Sequence, residues 1–259
     1  MAQRFRRENK VDNNTTTSDT TTTTTTRNAT QTMKGTNTMI YANNLGFSKA
    51  TNQAKLRALK VAMPERFDKV RKHIYTFDLL SGYACPFAKL CLSKVKETAE
   101  GTLKLVDGIS TKFRCFSASQ EAQYTNTYKH RKRNFDALRG KSREEMRSLL
   151  SEALPKNAAI VRIHVAGDFF NAAYLLAWVD VAQANPDVLF YAYTKSLVYW
   201  RDNKNIIDNT PNIVLTASYG GALDEMITSE GFRSAKVVFS EAEANTQHLP
   251  IDHDDSHAA

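Results

Sequence analysis

The stretch AIVRIHVAG, residues 159–167, decides the fold because it begins a series of short runs rich in β-branched and aromatic residues. The series continues with VLFYAYTK at residues 188–195, IVLTAS at 213–218 and AKVVFS at 235–240, and helix-like segments separate the runs. Strands that alternate with helices pair in parallel. The pattern therefore predicts an α/β protein whose parallel sheet is built from βα repeats, as in a partial or irregular βα barrel.

The carboxyl ends of these predicted strands carry polar side chains. Parallel strands end at one edge of a sheet, and ligands bind at that edge. A further short strand, YTFDLL at residues 75–80, leads to Ser81 and Cys85 at the same edge. The sequence thus predicts one site to which several strand ends contribute, with these further residues: His164, Asp168, Tyr193, Thr194, Lys195 and Ser218.

The three cysteines lie in the spacing C-x5-C-x23-C, two of them in SGYACPFAKLC at residues 81–91 and the third at Cys115. An odd number of cysteines fits no closed disulfide framework. Thiolates on tight turns suit soft metals and iron-sulfur clusters, whereas a structural zinc site would need a fourth ligand such as His73, His130 or His164. Three buried free thiols are the remaining interpretation. The spacing alone leaves these alternatives open.

A helical and hairpin region carries the cysteines and precedes the βα repeats. Ser48 is a candidate cap for a helix over residues 49–63. In TLKLVDGISTKF, residues 102–113, the dipeptide Asp107-Gly108 predicts a hairpin turn. Capping boxes predict two further helices: Ser117 with Gln120, and Ser142 with Glu145.

Composition divides the chain of 259 residues into two parts. Residues 1–38 are rich in threonine and have no apolar period, so they predict a disordered tail. Residues 39–259 predict a single α/β domain. No run of about 18 apolar residues occurs, so no membrane partner is expected, and the protein is expected in the cytoplasm.

The net charge of +8 is unevenly distributed, being +3 for residues 1–38, +12 for 39–150 and −7 for 151–259. The positive part includes KHRKRN, residues 129–134, within a predicted helix. Such a stretch is a candidate phosphate-binding patch for nucleic acid. A solvated helix face is the alternative, since no recognition motif accompanies the charge.

The C-terminal stretch QHLPIDHDDSHAA offers a second group of candidate ligands. His253, Asp254, Asp255 and His257 are suited to bind a divalent metal or a substrate, or to close over the site. An acidic, solvated terminus is the alternative interpretation.

Several blocks, taken together in this order, resemble the phage-borne family known as gene product 88: TFDLLSGYACPFAKLCLSKV, TKFRCFSASQEAQYTNTY, RIHVAGDFFNAAYLLAWVDVA, FYAYTKSLVYW, VLTASYGG and IDHDDSHA. The resemblance implies an iron-sulfur protein of viral origin in which Cys85, Cys91 and Cys115 are the cluster ligands. The βα half is also similar to radical S-adenosylmethionine barrels. It departs from their compact C-x3-C-x2-C loop, because Cys115 lies beyond a predicted hairpin.

Three cysteines without an obvious fourth ligand favour one 4Fe-4S or 3Fe-4S cluster with an open or missing fourth iron. A cluster-dependent hydrolase of small-molecule esters or phosphoesters then needs a proton carrier, an orienting carboxylate and an anion stabiliser, roles that suit His164, Asp168 and Lys195. An electron-transfer or redox-sensing protein and a nucleic-acid-binding phage accessory protein are the alternatives. Such a protein is expected in the cytoplasm of the infected host, or in the virion. Candidate substrate-binding residues are Ser81, Arg114, Tyr193, Thr194, Ser218, His253, Asp254 and Asp255.

Overall fold

A mostly parallel sheet is the central element of the fold. This computed structural model describes residues 39–42, 45–50, 52–252 and 254–259. The predicted tail, residues 1–38, lies outside these ranges. Seven strands pair in the order β1-β2-β3-β6-β7-β8-β9, and β4 pairs with β5 in a separate ribbon. The strands are β1 Met39–Ala42, β2 Leu45–Lys49, β3 His73–Phe77, β4 Ser93–Glu97, β5 Leu103–Asp107, β6 Ala158–Ile163, β7 Leu189–Thr194, β8 Ile213–Ser218 and β9 Ser234–Ala235.

Helices fill the connections between the strands, as the βα alternation predicts. The first helix, α1, is followed by a single 3₁₀ turn at Pro64–Arg66. The helices are α1 Gln53–Ala62, α2 Phe116–Gln123, α3 Thr125–Leu138, α4 Arg143–Ala153, α5 Ala172–Ala184, α6 Leu197–Asp202, α7 Lys204–Asp208, α8 Glu225–Ser229 and α9 Glu241–Thr246.

The sheet is open, which corrects the prediction of a partial barrel. Strands β3, β6, β7, β8 and β9 are parallel, and this confirms the α/β class. At the other side β1 and β2 are antiparallel additions. Within the described residues, the edge strands β1 and β9 are not paired with each other.

Alternate residues of the central strands serve two different faces. Val161, Phe190 and Leu215 point to the helix-covered face, where they pack in one buried cluster with Trp178 of α5 and Leu150 of α4. We call the opposite side the cavity face. Ile160 and Tyr191 lie there in a smaller apolar cluster with Leu59 of α1 and with Ala258.

Several local predictions need correction. The hairpin does not turn at Asp107-Gly108: β5 pairs back onto β4, and the turn lies at residues 98–102, where Thr98 N donates to Thr102 O at 2.9 Å. Strand β4 was missed because Val95 is its one buried apolar residue. Ser48 lies in β2, not at a helix cap.

The capping boxes had different outcomes. Ser142 and Glu145 form the predicted box at the start of α4. Ser117 instead lies inside α2, which begins after Cys115. The single helix that this box predicts, over about residues 118–139, is divided at Tyr124 into α2 and α3. No helix in the described part of the chain is long and apolar enough to cross a membrane.

Candidate functional site

A cavity of about 690 Å³ lies at the carboxyl ends of the parallel strands, on the cavity face. The loops after β3 and β6 and the carboxyl ends of β7 and β8 contribute to its wall. Seven described C-terminal residues also line it: Leu249, Pro250, Ile251, Asp252, Asp255, His257 and Ala258. The following predicted site residues line it: Cys85, Cys91, Cys115, His164, Asp168, Tyr193, Thr194, Lys195, Ser218 and Asp255.

The loop that carries Cys85 is fixed to the end of β6. Asp78, which follows β3, accepts hydrogen bonds from the backbone N–H groups of Val165 at 2.7 Å and Ala166 at 3.3 Å. Gly82 has a φ of +74°, and a Cβ there would lie 2.6 Å from the carbonyl oxygen of Ser93. The loop thus approaches another backbone too closely for a side chain, and this holds Cys85 at the cavity wall.

The β4–β5 ribbon brings Cys91 and Cys115 to the same wall, although 23 residues separate them. Ser93 is paired with Asp107 at the base of the ribbon. The Leu90 carbonyl accepts hydrogen bonds from Lys112 N at 2.8 Å and Phe113 N at 3.1 Å, and Cys115 N donates to Ser93 Oγ at 3.2 Å. The segments on either side of the ribbon therefore run together, each with one cysteine.

All three cysteines are free thiols and half-buried. Burial raises the pKa of Cys85 well above its usual value, and the charge of Asp168 raises it further. Burial also raises the pKa of Cys91, while the nearby Lys195 ammonium lowers it. Thiolates at this place are costly without a positive partner, and a bound metal centre supplies that charge. The soft donor set therefore fits a thiolate-bound metal group.

No group of three or more His, Cys, Asp or Glu side chains in the described residues is arranged to hold a single metal ion. A cluster has a different requirement, because its cysteines bind different irons. With iron-sulfur bonds near 2.3 Å, the cysteine sulfurs of one cubane lie about 6 to 7 Å apart.

Asp168 organises the end of β7. Its carboxylate accepts hydrogen bonds from Thr194 Oγ1 at 2.6 Å, Lys195 N at 2.8 Å and Phe169 N at 2.7 Å. Burial raises the pKa of Asp168, and these donors oppose the shift. Lys195 Nζ donates to Ser218 Oγ at 2.6 Å, so this cation bridges two strand ends beside the cysteines.

His164 is held in a buried pocket of aromatic rings at the cavity wall. Its φ is +72°, its ring lies 4.9 Å from that of Phe169, and its Nε2 is 3.0 Å from the Tyr174 hydroxyl. Burial, and secondarily the charge of Arg162, lower the pKa of His164 to about 3. The imidazole is therefore neutral at physiological pH.

Among the cavity residues that sequence reasoning missed are Arg162 and Thr216. Arg162 Nη1 donates to Asp255 Oδ2 at 2.6 Å, and its guanidinium lies 5.3 Å from the Tyr193 ring centroid. The sequence did contain a signal for Arg162, because it is a cation inside the otherwise apolar strand AAIVRI. Its partner Asp255 is 93 residues away, which no local pattern indicates.

Other predicted residues lie away from the cavity wall. Ser81 is fully buried and donates to Glu121 Oε1 at 2.7 Å. Arg114 is exposed and paired with Asp107 at 2.7 Å. Asp254 accepts a hydrogen bond from Ser256 N at 2.9 Å. His253 lies outside the described residues.

The basic stretch of α3 is only partly a surface patch. Arg131 is 3% exposed, and its Nη1 donates to Glu121 Oε1 at 3.2 Å and to the Ser117 carbonyl at 2.9 Å. Lys129 and Arg133 are exposed. Arg131 therefore stabilises the packing of α2 against α3 and does not face a nucleic acid.

Fold and cavity together define an α/β protein with an open, mostly parallel sheet and a thiol-lined cavity at its strand ends. The chain belongs to the gene product 88 family, whose model matches residues 20–259, and this confirms the resemblance to that phage family. It is similar to the Gene 88 protein of Mycobacterium phage L5, with 38% identity over 71 residues, which are 24% of this chain and 30% of that relative's length. No solved structure matches the chain.

Proposed function

We propose that the protein holds one iron-sulfur cluster, 4Fe-4S or 3Fe-4S, through Cys85, Cys91 and Cys115, with one iron open or absent. The observation that carries the proposal is the convergence of three half-buried free thiols, from separate turns, on one cavity. Thiolates are the usual ligands of such clusters. A reducing compartment would preserve both thiols and cluster, which favours the cytoplasm of the infected host over the virion.

The size of the cavity favours an enzyme over a carrier of electrons. A volume of about 690 Å³ lies within the range of about 300 to 1,000 Å³ that small-molecule sites occupy. An electron carrier needs only a cluster near its surface. A cluster beside a cavity of this size is instead suited to act on a bound molecule.

We propose hydrolysis of a small ester or phosphoester as the reaction. When bound, an open cluster iron supplies a Lewis acid for a carbonyl or phosphoryl oxygen. Lys195 binds the negative charge of the substrate, and Asp168 positions Lys195 through its backbone N–H. Tyr174 orients His164 at the cavity wall. Because burial lowers its pKa to about 3, the imidazole is a weak base, so we assign it hydrogen bonding to the substrate and not proton transfer.

Metal and sulfide analysis tests the cluster. After anaerobic reconstitution, wild-type protein should contain iron and sulfide and show a Mössbauer spectrum of a cluster. Replacing any one of the three cysteines by serine should abolish or strongly reduce both. Ser110→Ala, in an exposed loop, is the matched control and should load normally. Full iron and sulfide in Cys115→Ser would remove that cysteine from the ligand set.

Turnover tests the reaction separately. Nitrophenyl phosphate and nitrophenyl acetate should be hydrolysed by the loaded protein and not by the apo-protein. Lys195→Met should retain the cluster and lose turnover of the phosphate ester. A reversible redox couple with no turnover would contradict the hydrolase and support an electron-transfer role. Salt-dependent binding of DNA, lost on replacing Lys129 and Arg133, would support the nucleic-acid alternative.

A further inference from the structure

A polar socket lies in the cavity face, away from the cysteines in the sequence but in the same cavity. It consists of Arg162, Tyr191, Tyr193 and Thr216. Asp255 occupies it: one carboxylate oxygen accepts from Arg162 Nη1 at 2.6 Å and from the Tyr191 hydroxyl at 2.8 Å. A carboxylate from the C-terminal segment is thus seated on a cation and a phenol that project from two adjacent strands.

The socket has donors that Asp255 leaves unused. Arg162 Nε and Thr216 Oγ1 are both buried and have no hydrogen-bond partner among the described residues. Buried polar groups are normally paired, so these two atoms indicate an absent acceptor. A planar carboxylate offers two oxygens, whereas a phosphate group offers three around a tetrahedral centre and matches a larger set of donors.

The phenols of the socket remain donors at neutral pH. Burial raises the pKa of Tyr191 and of Tyr193, and the neighbouring charge of Asp255 raises both further. The Arg162 guanidinium lies over the Tyr193 ring at 5.3 Å from its centroid, a favourable cation–π contact. The socket is therefore preorganised for an oxyanion, whichever anion fills it.

We propose that this socket binds the phosphate group of a small phosphoester, and that Asp255 occupies it in the place of that group. Binding of the ligand then displaces the segment around Asp255 from the cavity wall. Other contacts of this part of the chain include the hydrogen bond from the Tyr193 hydroxyl to Asp252 Oδ2 at 3.4 Å and that from Arg233 Nη2 to the Ala258 carbonyl at 2.7 Å. Phosphate binding by the socket does not depend on the proposed cluster. Only the hydrolysis of the bound phosphoester rests on the proposed function.

Calorimetric titration of the full chain with inorganic phosphate tests the socket. Asp255→Asn removes the competing charge and should bind phosphate at least about tenfold more tightly than wild type. Asp254→Asn is the matched control, since Asp254 lies in the same segment but not in the cavity wall. It should bind as wild type does. Equal affinities in all three proteins would overturn the proposal.

A second variant protects the test against failure to fold. Arg162→Gln alone leaves Asp255 without its cation, so the double variant Arg162→Gln/Asp255→Asn is used, in which neither charge is left unpaired. It should lose the phosphate binding that Asp255→Asn gains. Undiminished binding would overturn the role of Arg162. Acetate binding as tight as phosphate binding would overturn the phosphate class.

The cysteine variants separate this inference from the proposed cluster. Combining Cys85→Ser, Cys91→Ser and Cys115→Ser with Asp255→Asn should leave phosphate affinity unchanged within about twofold. Loss of binding in that protein would contradict a socket independent of the cluster. Iron and sulfide content is measured in the same samples, so failure of the cluster proposal and failure of the socket are seen separately.

Discussion

The two faces of the central sheet are built from the same strands but differ in chemistry. On the helix-covered face Val161, Phe190 and Leu215 are all 4% exposed or less and belong to the apolar core. The neighbouring positions on the cavity face are Arg162 and Thr216, whose buried Nε and Oγ1 atoms have no hydrogen-bond partner in the part of the chain that the structure describes. One face therefore stabilises the sheet, while the other keeps polar groups at a cost to stability.

The largest effect is expected on the helix-covered face. Trp178 is fully buried, and its ring lies against those of Phe47, Phe77 and Phe190. Trp178→Ala should lower the free energy of unfolding by about 3 to 5 kcal/mol, because it leaves a cavity in the core. Urea denaturation measures this. Trp178→Phe should cost clearly less, and equal losses for both would contradict a packing role.

An intermediate effect on the free energy of unfolding is expected from lowering the pH, because His130 of α3 is buried. Burial lowers the pKa of His130 to about 4, while Asp78 opposes the shift and Arg131 adds to it. As pH falls below about 6.5 the unfolded chain takes up the proton first, so stability is lost between about pH 6.5 and 4. The loss amounts to about 3 kcal/mol at its limit.

His130→Gln should reduce that loss, as shown by denaturation curves at pH 7 and pH 4.5. His164 contributes in the same direction, since its pKa is also lowered. The comparison of wild type with His130→Gln therefore isolates the share of His130. If the free energy of unfolding fell equally with pH in wild type and in His130→Gln, His130 would not be buried as a neutral imidazole.

The smallest effect is expected on the cavity face. Thr216→Val removes a buried hydroxyl that has no partner in the described structure, and should raise the free energy of unfolding by up to about 1 kcal/mol. It should also weaken phosphate binding in the Asp255→Asn protein. Thr210→Val is the control: its hydroxyl donates to the Ile206 carbonyl at 2.8 Å, so the change should destabilise by about 1 kcal/mol. If Thr216→Val and Thr210→Val both lowered the free energy of unfolding, the Thr216 hydroxyl would have a stabilising partner, contrary to the prediction.

The fold was predictable where short-range pattern and packing agree. The runs that became β6, β7 and β8 are rich in β-branched and aromatic residues, and the strand-end rule then located Asp168, Thr194 and Lys195 correctly at one edge. The open sheet was not predictable, because closure depends on how the edge strands pair. AKVVFS was only partly a strand, with β9 restricted to Ser234–Ala235.

Parts of the site depend on contacts distant in sequence. Asp255 pairs with Arg162 only because the C-terminal segment folds back onto the sheet. His164 adopts a left-handed backbone conformation, with a φ of +72°, which no local pattern in the sequence indicates. The burial of Arg131 was within reach of pattern analysis. Arg131, Asn134 and Leu138 share one helix face at intervals of three and four residues, and all three are buried.

The β4–β5 ribbon lies between Cys91 and Cys115, so the length of the ribbon sets the number of residues between these two cysteines. Its base is pinned by the pairing of Ser93 with Asp107, while Gly101 at the tip faces open space. Residues added in matched pairs at the tip would lengthen both strands and leave the base unchanged. Searches for distant members of the family should therefore fix the short interval from Cys85 to Cys91 and let the second interval vary by even numbers of residues.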